Sequence, residues 1–256
     1  MIRNLYLLGA LLLASLCNAQ TNTAVKPGET LVFDASYNMS GLGTKLAEVT
    51  ISTETVKTSK STLLHLRCSA ATFTKWDSFF KIRDLYESYV NPKTLAPSLY
   101  KRDIAEGGYQ KEEKYIYRPS TKKISTTKIR KGKKEEGSIA YKNGVDDVVT
   151  SLFKIRNTDF GKMKVNDKKS FSILFDAKEI PVSLKYLGKE TIKAGPLGNK
   201  TCYKMSISAA TDKLKGKDKN LVWFTADERK IPVKMQFSIP VGTGEMTLKR
   251  ASDNSK

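Results

Sequence analysis

Apolar and polar positions alternate with a period of two from Glu29 to Tyr37 (ETLVFDASY), which predicts a β-strand with one buried face. Gly41-Leu42-Gly43 then turns the chain into a second such run, Leu46 to Val56, so the pair reads as a hairpin. Leu63 to Phe73 and Ile82 to Val90 continue the pattern, with a helical turn predicted between them at Trp76 to Phe80. The prolines of Asn91 to Pro97 deny a ladder its donors and mark a turn. Short strands follow at Leu99 to Asp103, Gln110 to Tyr117 and Lys123 to Arg130, separated by Glu106-Gly107-Gly108, Arg118-Pro119-Ser120 and Lys131-Gly132-Lys133. A second block reads as strands at Lys169 to Phe175, Ile180 to Leu187, Thr201 to Ser208, Asn220 to Thr225, Pro232 to Ser238 and Glu245 to Lys249. Many short strands with regular turns point to a sandwich, a barrel or a strongly curved sheet.

One helix interrupts the two β blocks. In Asp146 to Arg156 (DDVVTSLFKIR), helical spacing gathers Val148, Val149, Leu152, Phe153 and Ile155 on one stripe, with Thr150 and Lys154 opposite. Asp146 or Asp147 is placed to cap its start. Arg156 falls inside the apolar stripe, and Asp84 falls on the face of its strand shared with Ile82, Tyr86 and Val90. Two opposite charges aimed at a core are expected to pair, because an unpaired buried charge costs several kcal/mol. The pair Arg156–Asp84 is therefore predicted, as a structural lock or as a ligand contact.

Charge and compartment narrow the partners. The first 19 residues combine Arg3, an apolar run from Leu5 to Leu16 and small residues near Ala19, the layout of a cleaved export signal. The rival reading makes Cys17 the acylated residue of a lipoprotein, although Leu16 stands where a small residue is expected. The chain carries a formal net charge of +19, and removal of Arg3 with the signal leaves 19 − 1 = +18. Such an excess favours anionic partners; outside the cytoplasm these are lipid headgroups, lipopolysaccharide and acidic glycans, and nucleic acid is demoted. Lys122, Lys123, Lys128, Arg130, Lys131, Lys133 and Lys134 form the densest basic run, a candidate contact with an anionic surface, and Lys213 to Lys219 forms a second. Cys68 and Cys202 remain, either as a disulfide or as two separate thiols; strand alternation puts Cys68 with Leu64 and Leu66 but Cys202 opposite Tyr203 and Met205.

Chemistry-bearing patterns are sparse. His65 is the sole histidine and reads as a strand residue, so sites needing two imidazoles are excluded. No zinc spacing, nucleotide loop or nucleophile elbow occurs, and neither a cofactor nor a metal is expected. The doublets Glu112-Glu113, Glu135-Glu136 and Asp146-Asp147 do not place two carboxylates on one strand face.

Pro27 to Leu31, the Tyr89 to Pro97 turn, Asp147 with Ser151, Phe153 and Arg156, and Val222 to Val233 (VWFTADERKIPV) together resemble the DUF3108 family of exported bacterial proteins, from about Pro27 to Leu248. The resemblance implies a strongly curved, incompletely closed antiparallel sheet, a half-barrel, with one principal helix in or over its concave side, by analogy with proteins of the LolA and LolB type. With the export signal read above at residues 1–19, the chain divides into a polar leader at 20–26, one β domain at 27–250 that resembles this family, and a polar tail at 251–256. The analogy implies a noncatalytic protein of the periplasm or outer membrane of a Gram-negative bacterium that holds a lipid or acyl chain in the concave sheet. Trp76, Val149, Leu152, Phe153, Arg156 and Asp84 are the candidate ligand contacts. The alternative is a structural or interaction protein with a filled core that docks on anionic envelope surfaces through its basic loops.

Overall fold

The computed structural model describes residues 21–39, 42–142, 144–209, 220–239 and 242–253; the predicted signal, Cys17 and the basic run at 213–219 lie outside them. The alternating segments form fifteen strands: β1 (Glu29–Met39), β2 (Leu42–Lys57), β3 (Thr62–Thr72), β4 (Arg83–Val90), β5 (Pro97–Glu106), β6 (Tyr109–Arg118), β7 (Lys123–Arg130), β8 (Lys133–Ala140), β9 (Val145–Asp147), β10 (Lys168–Phe175), β11 (Lys178–Lys193), β12 (Asn199–Ala209), β13 (Leu221–Thr225), β14 (Pro232–Ile239) and β15 (Gly242–Asp253). All belong to one sheet, which runs from β8 back to β1, crosses to β15, and runs down to β9. Neighbours are antiparallel except the short edge strand β9, which lies parallel to β10. The helix α1 (Val148–Lys154) follows β9 and continues as a 3₁₀ turn, Ile155–Asn157.

The connection between β8 and β9 shows how strongly the sheet curls. These are its two outer strands, yet only residues 141–144 join them, a reach of at most about 18 Å. Fifteen strands laid flat at about 4.8 Å spacing would span roughly 65 Å, so the edges are drawn together into a half-barrel with a seam. Side chains rather than ladder bonds span that seam: Ala177 donates its amide to Tyr115 Oη at 2.9 Å, Lys142 pairs with Glu179 at 2.9 Å, and Arg102 pairs with Asp176.

Two strands are absent from the sequence reading. Lys133–Ala140 (KKEEGSIA) has few β-formers, but Lys131 and Gly132 both adopt positive φ (50° and 72°), the type I′ geometry that turns a strand back on itself. The resulting edge strand is almost wholly exposed and charged, which discourages pairing with another chain. The predicted polar leader is in fact docked. Ala24 and Val25 are buried, and Thr23 and Ala24 donate their amides to Asn157 Oδ1 at 2.7 and 3.0 Å. At the other end β15 runs to Asp253, three residues past the predicted boundary.

The concave side is filled. Val149 and Phe153 of α1 meet Leu31, Phe33, Leu64, Leu66, Val233 and Leu248 in a principal core. A second core gathers Leu184, Tyr186, Met205, Val222 and Phe224 around Phe160, which the loop after α1 inserts. Cys68 and Cys202 are separate free thiols, and burial pushes them up to about 12 and about 11. Gly195, with φ of 59°, lies so close to β15 that an added Cβ would sit 1.9 Å from the Leu248 carbonyl oxygen. Gly195→Ala is therefore expected to lower stability by about 2 kcal/mol or more in urea unfolding, since backbone must shift to admit the methyl.

Candidate functional site

Asp147 starts the helix and anchors it. Its carboxylate accepts from the Thr150 amide at 2.8 Å, the Thr150 hydroxyl at 2.8 Å, the Ser88 hydroxyl at 2.9 Å and Tyr117 Oη at 3.4 Å. Thr150, expected on the solvent side, is buried because the sheet wraps this face too. Burial raises the Asp147 carboxyl to about 6 against the pull of these hydrogen bonds.

Arg156 is 1% exposed and locks onto Glu29, not Asp84. Its Nη1 and Nη2 reach the two Glu29 oxygens at 2.5 and 2.9 Å, its Nε donates to the Arg229 carbonyl at 3.0 Å, and Nη2 also donates to the Ala24 carbonyl at 3.2 Å. Arg229 adds a second cation on Glu29 at 2.6 Å and extends to Asp253 at 3.1 Å. Asp84 instead accepts the Ala105 amide at 3.1 Å, and burial, reinforced by Glu106, raises its carboxyl to about 6. The signal for Glu29 was in the chain: it shares a strand face with Leu31 and Phe33, the same parity that drew attention to Asp84.

The six predicted ligand contacts do not form one site. Val149 and Phe153 are covered by core side chains, Leu152 packs against the same core, and Arg156 is consumed by Glu29. Trp76 stands at the opposite end of β3's neighbourhood, in the β3–β4 connection, where its indole donates to the Lys45 carbonyl at 2.9 Å. No pocket described among these residues is lined by any of the six. The pocket along α1, about 270 Å³, opens on its other side, between Ser151, Lys154 and Ile155 and the strand residues Lys169, Phe171 and Leu184. A larger one, about 460 Å³, lies under the β10–β11 turn and is walled by Lys111, Glu113, Lys128, Glu135 and Asp176. Charged walls of that kind do not suit an acyl chain.

The basic run is divided by the strand it occupies. Lys122 and Lys123 sit at the β6–β7 turn, whereas Arg130, Lys131, Lys133 and Lys134 sit at the β7–β8 turn, roughly 25 Å away along an eight-residue strand. Lys128 pairs with Glu135 at 3.0 Å, Lys134 with Glu136 at 2.5 Å, and Arg130 lies over the Tyr109 ring. In an antiparallel meander alternate turns share an end. The β7–β8 tip therefore shares its rim with the β3–β4 connection at 73–82 and the β5–β6 turn at 107–108. On that rim Phe79 and Phe80 are 80% and 52% exposed, beside exposed Lys75 and Lys81, a patch the sequence reading passed over as a helical turn.

His65 is held between two carboxylates, Nδ1 to Glu54 at 2.7 Å and Nε2 to Glu87 at 2.9 Å, and stacks on Tyr89 at 4.3 Å. Among the described residues no group of three or more His, Cys, Asp or Glu is placed to hold a metal, and no helix is long and apolar enough to cross a membrane.

These features define a curved, seamed β half-barrel whose interior is occupied by its own helix. The chain belongs to the DUF3108 family, described as a protein of unknown function, whose model matches residues 32–249. No curated protein sequence matches it. Among solved structures it is similar to the beta-barrel-like protein of domain of unknown function DUF1849 from Brucella abortus, with TM-score 0.57 and 8% identity over 89% of this chain and 98% of that one. That is a likeness of fold. A protein with a YmcC-like fold from Bacteroides fragilis aligns over 89% of this chain and 97% of its own at 10% identity, with TM-score 0.32.

Removing either partner at the centre leaves a buried charge behind. Arg156→Met is expected to cost about 3–5 kcal/mol in urea unfolding, and the double variant Arg156→Met with Glu29→Gln to recover part of that loss. Asp147 gives a pH signature. Its folded-state pKa lies above the unfolded value, so its contribution to stability is fullest below about pH 4 and is lost as pH rises toward 6. The melting temperature of Asp147→Asn minus that of the parent is expected to increase across this window.

Proposed function

We propose that this is a noncatalytic envelope protein that docks, through one rim of the half-barrel, on an anionic lipid surface. The observation that carries the reading is the exposed pair Phe79-Phe80, flanked by Lys75 and Lys81 and sharing its rim with Arg130, Lys131, Lys133 and Lys134. Exposed aromatic side chains gain by entering the headgroup boundary, each large apolar side chain contributing about 1.5–3 kcal/mol when fully buried. Each lysine or arginine held near an anionic surface adds about 1 kcal/mol. Glu135 and Glu136 oppose part of that attraction, so the apolar wedge is needed to hold the protein once charge has brought it close.

The filled interior supports docking over carriage, because the concave side holds α1 and two cores where a carried chain was expected. An exported location rests on the predicted signal, and the net charge of +18 derived above suits the anionic leaflets such a protein meets.

Vesicle co-sedimentation tests the proposal. Phosphatidylglycerol vesicles are expected to bind the mature chain and neutral phosphatidylcholine vesicles to bind it at least about tenfold less, with binding falling as salt rises. Phe79→Ser with Phe80→Ser should weaken binding at unchanged salt dependence, by about tenfold or more. Charge reversal at Lys131, Lys133 and Lys134 should flatten the salt dependence. Equal binding to both vesicle types, or no loss in the double phenylalanine variant, would sink it.

A further inference from the structure

The cleft beside α1 has the parts of a small-ligand site that is separate from the docking rim. Ser151, on the turn that follows Asp147, is only 8% exposed, yet its hydroxyl has no hydrogen-bond partner among the described residues. Every other polar side chain in the helix is matched: Thr150 to Asp147 and Ser88, Lys154 to Asp146 at 2.8 Å. Buried hydroxyls are normally satisfied; among the described residues Tyr100 Oη and Ser151 Oγ are the exceptions, and Ser151 lines a cleft of about 270 Å³.

The rest of the wall is divided between an apolar floor and a cationic rim. Ile155, Phe171 and Leu184 supply the floor. At the rim, Lys154 is neutralised by Asp146, but Lys169 makes no ion pair among the described residues; its ammonium reaches only the Thr158 hydroxyl, at 3.2 Å. Burial and the like charge of Lys154 both depress the Lys169 pKa, the mark of a cation lacking an anion. A hydroxyl donor, an uncompensated ammonium and an apolar floor converge on one kind of molecule.

We propose that the cleft binds a small amphiphilic carboxylate, its carboxylate held between Lys169 Nζ and the Ser151 hydroxyl and its short alkyl chain lying on Ile155, Phe171 and Leu184. The volume, about 270 Å³, falls just below the usual range of small-molecule sites, roughly 300–1,000 Å³, so it admits one short chain and excludes a diacyl lipid. The charge count narrows the choice further: Asp146 and Lys154 cancel one another at 2.8 Å, which leaves the single ammonium of Lys169 to be matched and favours a monoanionic carboxylate over phosphate.

Calorimetric titration of the full mature chain with octanoate, octanol and inorganic phosphate tests this. Octanoate is expected to saturate a single site, with octanol and phosphate each about tenfold weaker or more, since each lacks one half of the recognition. Lys169→Gln, on the exposed rim, should weaken octanoate about tenfold and leave octanol unchanged; Ser151→Ala should weaken it severalfold. Melting curves of both variants confirm that they remain folded, and Lys169→Gln is the arm that survives if Ser151→Ala does not fold. Four outcomes would each overturn the proposal: no saturable octanoate binding, octanol binding as tightly, phosphate binding as tightly, or octanoate affinity unmoved by Lys169→Gln.

Discussion

The bond between Arg156 and Glu29 sets where everything else can sit. All three guanidinium nitrogens are engaged, and the acceptors come from the N-terminal segment (Ala24), the first strand (Glu29) and the β13–β14 turn (the Arg229 carbonyl). Through Arg229 the same carboxylate is tied to Asp253 at the end of the last strand. Stripping water from an ion pair costs several kcal/mol per ion, and only good geometry with every donor filled offsets it. That demand gives the pair its specificity, because a shift of the helix or of β1 by one residue would leave charges stranded. Asp147 meets the same requirement at the other end of the helix, so α1 is fixed at both ends by buried polar groups and between them by Val149 and Phe153.

Much of this was legible in the chain, and the gaps have physical causes. Period-two alternation located thirteen of the fifteen strands, because each has one face in a core. It missed β8, which has no buried face to write a pattern, and β9, which is three residues long. The oddity of Arg156 was visible, and so was the need for a carboxylate; the choice of Asp84 over Glu29 failed because alternation reports which face a residue shares and not which strands that face will meet. The expected cavity was lost for a related reason. A helix with an apolar stripe looks the same whether it lids a void or fills one, and only the packing of Phe153 and Phe160 distinguishes the two.

The half-barrel also shows how little a fold of this kind says about its use. A resemblance in architecture to carriers points to the concave side, which here is closed by the chain's own side chains, whereas two unmatched features lie elsewhere: aromatic rings on a rim and a serine on the helix face that lines the cleft. Both are groups the folded chain leaves unsatisfied, a property that alternation along the sequence does not encode. The exposed phenylalanines occupy a segment too short for any period to register, and Ser151 falls within a helix whose apolar stripe lies on a different side.

The order of strands has a consequence for how the molecule comes into being. From β1 to β8 each strand pairs with the one made just before it, and from β10 to β15 the same is true, so each arm can assemble by short loop closures. The two arms are united by β1 against β15, residues more than two hundred positions apart, such as Phe33 and Leu248. Closing so long a loop is entropically slow. The first strand therefore waits with an open flank until the final twelve residues of sheet arrive, and a chain cut short of β15 keeps two meanders but loses the join that makes them one body.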